Sequence, residues 1–289
     1  MSEVWTTLKV LDWTAGRFER AGLAGSRLDA QVLLAHVLAC ERVALYTDFE
    51  RPLEDEQLAK YRGLIQRRLA GEPVAYLTGH QEFWSLDFAV DSRVLIPRPD
   101  TETLVQLALE LGDAWDSDRD PLSLVEVATG SGAVAIAIAH ERKAWKVSAT
   151  DLSEDALTMA RGNAERNHLE GRIDFRCGDV LTPLGDDVFG LLVANLPYIS
   201  REDMETLSPE VQHEPRSALY GGETGLELIE TLIAGAEKNL LPGAWVALEH
   251  GFDQGEEVRS FAHSAGFKGV QTREDMAGRA RVTYFQRGS

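Results

Sequence analysis

Two short stretches of this chain carry residue types that can do chemistry together. The first is Glu126-Val127-Ala128-Thr129-Gly130-Ser131-Gly132, followed by Asp151 nineteen residues past Gly132. Glycines in such a turn let the backbone bend sharply and approach a ligand with no Cβ in the way. An acid at the end of the next strand can accept hydrogen bonds from both ribose hydroxyls of a nucleoside. The second stretch is Asn195-Leu196-Pro197-Tyr198. A nitrogen conjugated to a carbonyl or a ring is a poor nucleophile because its lone pair is delocalised. A site that makes it react must accept both of its N–H bonds, which aims the lone pair and stabilises the positive charge that develops. The Asn195 side-chain oxygen and the backbone carbonyl of Leu196 can be those acceptors. Pro197 keeps residue 196 extended and so aims the carbonyl, and Tyr198 offers an aromatic face on which a flat amide or base can stack. This chemistry needs neither a metal nor a strong general base.

The loop also says which nucleoside fits. A dinucleotide loop reads G-x-G-x-x-G, with a helix N-terminus aimed at a pyrophosphate. Here Ala128-Thr129-Gly130-Ser131-Gly132 has no third glycine at the required place, and Glu126 stands where an acid meets an ammonium. S-adenosylmethionine carries an ammonium, a sulfonium and no phosphate, and is the expected cofactor. Ala128 occupies the place of the usual first glycine, so its methyl must tolerate the turn, and weaker cofactor binding is expected. A ligand-free glycine turn and a plain polar turn after a strand are the bland readings. The coincidence of both motifs at the ends of apolar strands outweighs them.

The elements that position these motifs follow from periodicity. Trp5, Leu8, Leu11, Ala15 and Phe18 recur at helical steps, as do Leu28, Val32, Ala35 and Leu38, with Ser26 as expected N-cap and Asp29 at the capping-box position. Leu58, Tyr61, Ile65 and Leu69 form a third stripe, ended by Gly71 and Pro73. Trp84, Leu86, Phe88 and Val90 then alternate as a strand, Asp91-Ser92 marks a turn, and Val94-Leu95-Ile96 reads as a second strand. From Asp100 onward helices and apolar strands alternate, which folds as a parallel sheet covered on both faces. Strands are expected at 122–127, 145–150, 173–176, 191–194, 245–249 and 282–285, and helices at 101–111, 132–141, 153–167 and 226–239.

Bulk properties bound the reading. The 289 residues carry a formal net charge of −18, which disfavours tight non-specific binding to a phosphate backbone. The two cysteines, Cys40 and Cys177, and the scattered histidines show no metal-ligand spacing, so no metal is expected. There is no basic start with an apolar run and no long uncharged apolar stretch, so neither a signal peptide nor a membrane span is expected and the localisation is expected to be cytoplasmic.

Outside the two motifs, further segments carry a resemblance. They are Gly71-Glu72-Pro73-Val74-Ala75-Tyr76-Leu77-Thr78-Gly79, Glu82-Phe83-Trp84, Leu95-Ile96-Pro97-Arg98-Pro99-Asp100-Thr101-Glu102, Glu214-Pro215-Arg216-Ser217-Ala218-Leu219 and Leu248-Glu249-His250-Gly251. Through nearly its whole length the chain resembles the peptide chain release factor glutamine methyltransferases of the HemK/PrmC type. The resemblance implies an α/β fold with a seven-stranded Rossmann-like class I methyltransferase sheet. It implies a small helical N-terminal domain, expected here as residues 1–78 and as the substrate-docking part. A β-hairpin linker is expected at 79–99 and the S-adenosylmethionine-dependent domain at 100–289. It implies methylation of the side-chain nitrogen (N5) of the glutamine in the Gly-Gly-Gln motif of class I release factors, the expected protein partners of a monomer with no stable nucleic-acid or membrane partner. Cofactor contacts carried over by the resemblance are Glu126, Ala128, Thr129, Gly130, Ser131, Gly132, Asp151, Asn195, and Asp179 with Val180, the latter along the adenine. The glutamine site maps to Asn195, Leu196, Pro197 and Tyr198. The family usually has Gly at 128 and Pro at 196.

Asn-Leu-Pro-Tyr also resembles the tetrapeptide of rRNA adenine dimethyltransferases, which keeps adenine N6-methylation as the alternative. That reading needs a basic groove, for which Arg161, Arg166, Arg172 and Arg176 are the candidates, although a solvated face suits them better. A non-catalytic binding protein is motivated only by Ala128 and Leu196. Arg98 and Glu102 could contact cofactor, substrate or each other. His250 suits a structural role, and Trp84 suits the core.

Overall fold

The computed structural model describes residues 4–115 and 121–288. They form two compact units: the chain up to Gly79 with Ser208–His213, and His80–Leu207 with Glu214 onward.

The first unit holds α1 (Thr7–Arg20), α2 (Ser26–Leu38), α3 (Ala44–Thr47), α4 (Asp55–Leu69) and α5 (Val74–Thr78). The first and third stripes meet in one core built on Leu11, Phe18, Leu33, Leu34, Tyr61 and Ile65. α2 buries Ala30, Leu33, Leu34 and Ala35, only the last of them from the expected stripe, and leaves Leu28 exposed. Each such side chain, fully buried, contributes about 1.5–3 kcal/mol. Ser26 is not the N-cap: left-handed Gly25 holds that place, and the Ser26 hydroxyl donates back to the Leu23 carbonyl at 2.6 Å. The capping box lies instead at Glu54 and Gln57, at the start of α4. Asp29 is taken by Arg68, a guanidinium only 2% exposed that donates to Asp29 at 2.8 Å and also pairs with Glu210 of the Ser208–His213 segment. A buried cation needs such partners, because burying it alone costs several kcal/mol.

The second unit opens with β1 (His80–Phe83) and β2 (Leu86–Ala89), followed by α6 (Glu102–Asp113), β3 (Ser123–Val127), α7 (Ala133–Glu141), β4 (Lys146–Asp151), α8 (Glu154–Arg166) and β5 (Ile173–Cys177). After these come β6 (Phe189–Asn195), β7 (Ile199–Ser200), α9 (Arg201–Met204), β8 (Tyr220–Gly222), α10 (Glu227–Ala236), β9 (Leu240–Glu249), α11 (Gly255–Ser264), β10 (Lys268–Glu274) and β11 (Ala280–Gln286). Seven strands form the expected sheet in the order β10-β11-β9-β6-β3-β4-β5. β9, β6, β3, β4 and β5 run parallel, and β11 is antiparallel to both neighbours.

The hairpin differs from expectation. Its turn is at Trp84 and Ser85, both left-handed at φ 54° and 58°, not at Asp91-Ser92. Val94-Leu95-Ile96 therefore forms no strand. Phe83, Phe88 and Val90 are buried, while Trp84 is only half-buried at the corner, its indole N–H donating to Glu141 at 2.9 Å.

The sheet order reverses between β3 and β6, since β3 pairs with β4 on one side and β6 on the other. In open α/β sheets the crevice at such a switch point, beyond the carboxyl ends, is where ligands bind. α7 follows directly from the loop and is apolar over almost its whole surface, with Ala133 through Ala139 all buried, as a helix buried on all sides must be. Its cap, Gly132, has φ +84°, and a Cβ there would stand 2.9 Å from Ile136 Cδ1 and 3.1 Å from Ala160 Cβ. Gly132 thus lets α7 and α8 pack closely beside the loop. No helix among the described residues is long and apolar enough to cross a membrane.

Candidate active site

A cavity of about 240 Å³ lies at the switch point, walled by the loops after β3, β4, β5 and β6. Glu126, Ala128, Thr129, Gly130, Ser131, Asp151, Asp179, Val180, Asn195, Leu196 and Pro197 all line it. Gly132 and Tyr198 are not among its lining residues. Gly132 serves helix packing. Tyr198 is half-buried against the core cluster below the sheet's edge, and burial pushes its phenol up to about 12.

The loop is built by short-range bonds. Thr129 N–H donates to the Thr150 carbonyl at 2.9 Å, and Gly132 N–H donates to the Thr129 carbonyl at 2.8 Å. Asn163 of α8 is fully buried and takes the Ser131 carbonyl at 2.9 Å, while exchanging bonds with the backbone of Ala89. Ala128 adopts φ 61°, the left-handed conformation that glycine would hold without strain. Val180 is left-handed as well, at φ 43°.

Glu126, Asp151 and Asp179 place three carboxyls on this cavity. Glu126 is 2% exposed; the Thr129 hydroxyl and the Ala135 N–H, the latter at 2.9 Å, both donate to its Oε2. Burial outweighs those bonds, and with Asp151 nearby it pushes the Glu126 carboxyl up to about 8. Asp151 accepts from Gly130 N–H at 2.8 Å and from Ser153 N–H at 2.9 Å, one on each oxygen. Burial raises its pKa above the ordinary value against these backbone donors.

Asn195 ends β6, and its amide nitrogen donates to Thr101 Oγ1 at 3.3 Å. Leu196 is 3% exposed, lines the cavity and joins the core cluster, so its side chain anchors the tetrapeptide. The Tyr198 carbonyl is held by Gln254 Nε2 at 3.0 Å. Under the tetrapeptide lies Gly221, where a Cβ would stand 2.4 Å from the Pro197 carbonyl oxygen and 2.8 Å from Tyr198 Cα. The backbones touch there, and only glycine allows it.

Sequence reasoning missed Thr101 and the partner of Arg98. Arg98 lines the cavity and pairs with Glu214, which also accepts the Ile96 N–H at 3.1 Å. Glu102 instead takes the Trp84 N–H at 3.0 Å. His250 is buried, with its ring nitrogens at 2.7 Å from the Gly251 carbonyl and 2.8 Å from Thr283 Oγ1, a structural histidine as expected. The four arginines form no open basic groove: Arg161 pairs with Glu154, Arg166 with Asp87 and Arg176 with Asp174 and Asp187, while Arg172 donates to the Lys143 carbonyl.

Comparison with known proteins agrees with this fold. Residues 9–79 match the PrmC N-terminal domain, and residues 124–213 match a methyltransferase domain. A release factor glutamine methyltransferase of Geobacter sulfurreducens is 40% identical over 97% of this chain and 96% of its own length. This chain belongs to the release factor glutamine methyltransferase family. A member from Xylella fastidiosa is 43% identical over 89% of this chain and 92% of its own length. In fold, a methyltransferase from Pyrococcus furiosus aligns with a TM-score of 0.54 at 21% identity, over 78% of this chain and 98% of that one. The enzyme is thus a class I methyltransferase, and its fold implies S-adenosylmethionine as methyl donor.

Proposed function

We propose that the enzyme transfers a methyl group from S-adenosylmethionine to the side-chain amide nitrogen of the glutamine in the Gly-Gly-Gln motif of class I release factors. The observation that carries this reading is the Asn195 carboxamide at the rim of a cavity that also holds the buried carboxyl of Glu126 and the half-buried carboxyl of Asp151.

The cavity fits the cofactor by its donor set. Glu126 is a buried acid with no ion pair among the described residues, and both its hydrogen bonds fall on Oε2. A ligand ammonium is the partner that would let it ionise. Asp151 spends one bond per oxygen on the backbone, and its remaining lone pairs suit ribose hydroxyls. Asp179 and Val180 stand at the wall from the loop after β5, which suits the adenine. Bound there, the cofactor supplies an electrophilic methyl group on a sulfonium.

The chain's own residues do the rest. Asn195 Oδ1 accepts one N–H of the target amide and the Leu196 carbonyl accepts the other, which turns the nitrogen lone pair toward the methyl. Both acceptors strengthen as the nitrogen becomes positive, so they favour the transition state over the ground state. An N-alkylated, positively charged amide is strongly acidic and loses its proton to water without a protein base. The helical unit ending at Gly79 serves as the substrate-docking domain; its exposed Trp13, Val43, Tyr46 and Phe49 supply apolar surface for that role.

The test offers labelled S-adenosylmethionine with a purified class I release factor, the same factor with its Gly-Gly-Gln glutamine substituted, or RNA. Label is expected on the unsubstituted factor only. Equal labelling of both factors, or labelling of RNA alone, refutes the reading, and the second outcome would favour methylation of a nucleic-acid base.

A further inference from the structure

Glu249 ends β9 and is the cross-strand neighbour of Asn195. It is 2% exposed, and its Oε2 has no hydrogen-bond partner among the described residues. A buried carboxyl with an unmet lone pair is costly, so its persistence calls for a role. Thr101, also buried, lies beside it and accepts from Asn195 Nδ2 at 3.3 Å. Glu249 is not among the residues that line the cavity.

The two ends of an asparagine carboxamide are alike in shape and opposite in function. The NH₂ end donates and the oxygen accepts, and only the oxygen can take an N–H of a substrate amide. Neighbouring groups decide which end faces which way. A carboxylate accepts and never donates, so it forces the NH₂ end toward itself. We propose that Glu249, acting with Thr101, is a positioning residue that fixes the Asn195 carboxamide with its oxygen turned to the methyl-accepting amide. This rests on the function proposed above.

The charges around Glu249 make the device sensitive to pH. Arg281 on β11 bridges Asp100 at 3.0 Å and Asp275 at 3.2 Å, and the charge of Glu249 acts on the Tyr198 phenol. Burial pushes Glu249 up to about 7; the Thr101 bond, Arg281 and the Asn195 bond oppose the rise, and Asp100 adds to it. Once protonated, Glu249 can donate to the Asn195 oxygen, and the forced orientation is lost.

The experiment compares wild type with Glu249→Gln, Thr101→Val and Thr101→Ser. It measures kcat across pH at saturating cofactor, cofactor Kd, and solvent exchange of the Asn195 side-chain amide protons, assigned by their loss in Asn195→Asp. Glu249→Gln and Thr101→Val are expected to lose roughly tenfold or more in kcat, with cofactor Kd within about threefold and faster amide exchange. Wild-type kcat is expected to fall as pH drops through about 7, and Glu249→Gln to lack that limb. Thr101→Ser, which keeps the hydroxyl, is expected to stay near wild type. Wild-type kcat and amide exchange in Glu249→Gln would overturn the proposal. So would parallel losses of cofactor affinity and kcat, or a Thr101→Ser as impaired as Thr101→Val. A wild type inactive on release factors would refute the function instead, and amide exchange would still decide the positioning role.

Discussion

If Glu126 pairs with the ammonium of the cofactor as proposed, cofactor binding should release a proton at neutral pH. In the free enzyme its carboxyl is held up to about 8 by burial, so at pH 7 about nine molecules in ten carry the proton there. An ammonium ligand binds the ionised form. Binding therefore expels about 0.9 proton from Glu126 at pH 7. The ligand's α-amino group is already mostly charged at pH 7 and takes back little. The net expectation at pH 7 is release of most of one proton. At pH 9 the carboxyl is already ionised while the amine has begun to lose its proton, so the sign reverses to a net uptake. Ionising Glu126 at pH 7 costs about 1.4 kcal/mol, one tenfold step in affinity. Affinity should rise with pH until the carboxyl is ionised and fall once the ligand's amine loses its proton. The assay is calorimetric titration with S-adenosylhomocysteine, which carries the same amino-acid end, in buffers of different ionisation enthalpy. Glu126→Gln should lose the release at pH 7 and keep only a small uptake. Proton uptake at every pH in the wild type would refute the pairing of Glu126 with the ammonium.

Three substitutions probe the scaffold around the cavity. Ala128→Gly relieves a left-handed alanine, so thermal unfolding should show up to about 1 kcal/mol of added stability and the cofactor Kd should fall; an unchanged Kd contradicts the claim that the methyl hinders binding. Leu196→Pro should preserve or raise kcat, because the backbone carbonyl does the work; the loss of a buried leucine should cost about 1–2 kcal/mol in denaturant unfolding. A large fall in kcat would mean that the side chain matters. Gly221→Ala forces a methyl against the Pro197 carbonyl, where the space is 2.4 Å; displacing the tetrapeptide should lower kcat about 100-fold while cofactor Kd stays near wild type.

The parts legible in the sequence are those whose signal is local. The loop from Glu126 to Ser131, Asp151 and the Asn195–Pro197 stretch each sit within a few residues of an apolar strand's end, and they converge on one cavity. The hairpin was misplaced because its turn uses Trp84 and Ser85 in left-handed conformations, with no Gly or Asn to mark it. β10 carries little apolar alternation, because none of its seven residues is fully buried. Contacts made across long separations left no pattern to read: Thr101 meets Asn195 across 94 residues and Arg98 meets Glu214 across 116. Ser208–His213 packs with the helical unit through Glu210 and Arg68, 142 residues apart. Tyr198 was expected to face the substrate as a stacking platform, yet its ring packs against the core, an outcome that a four-residue motif cannot foretell.

The central claim is that Asn195 and the Leu196 carbonyl grip a glutamine amide for methylation. Its most direct test is a peptide mass map of a class I release factor after incubation with S-adenosylmethionine and either wild-type enzyme or Asn195→Ala. A single methyl group is expected on the side chain of the Gly-Gly-Gln glutamine, appearing about 100-fold more slowly with Asn195→Ala. Methylation at another residue, or an undiminished rate with Asn195→Ala, would contradict the account.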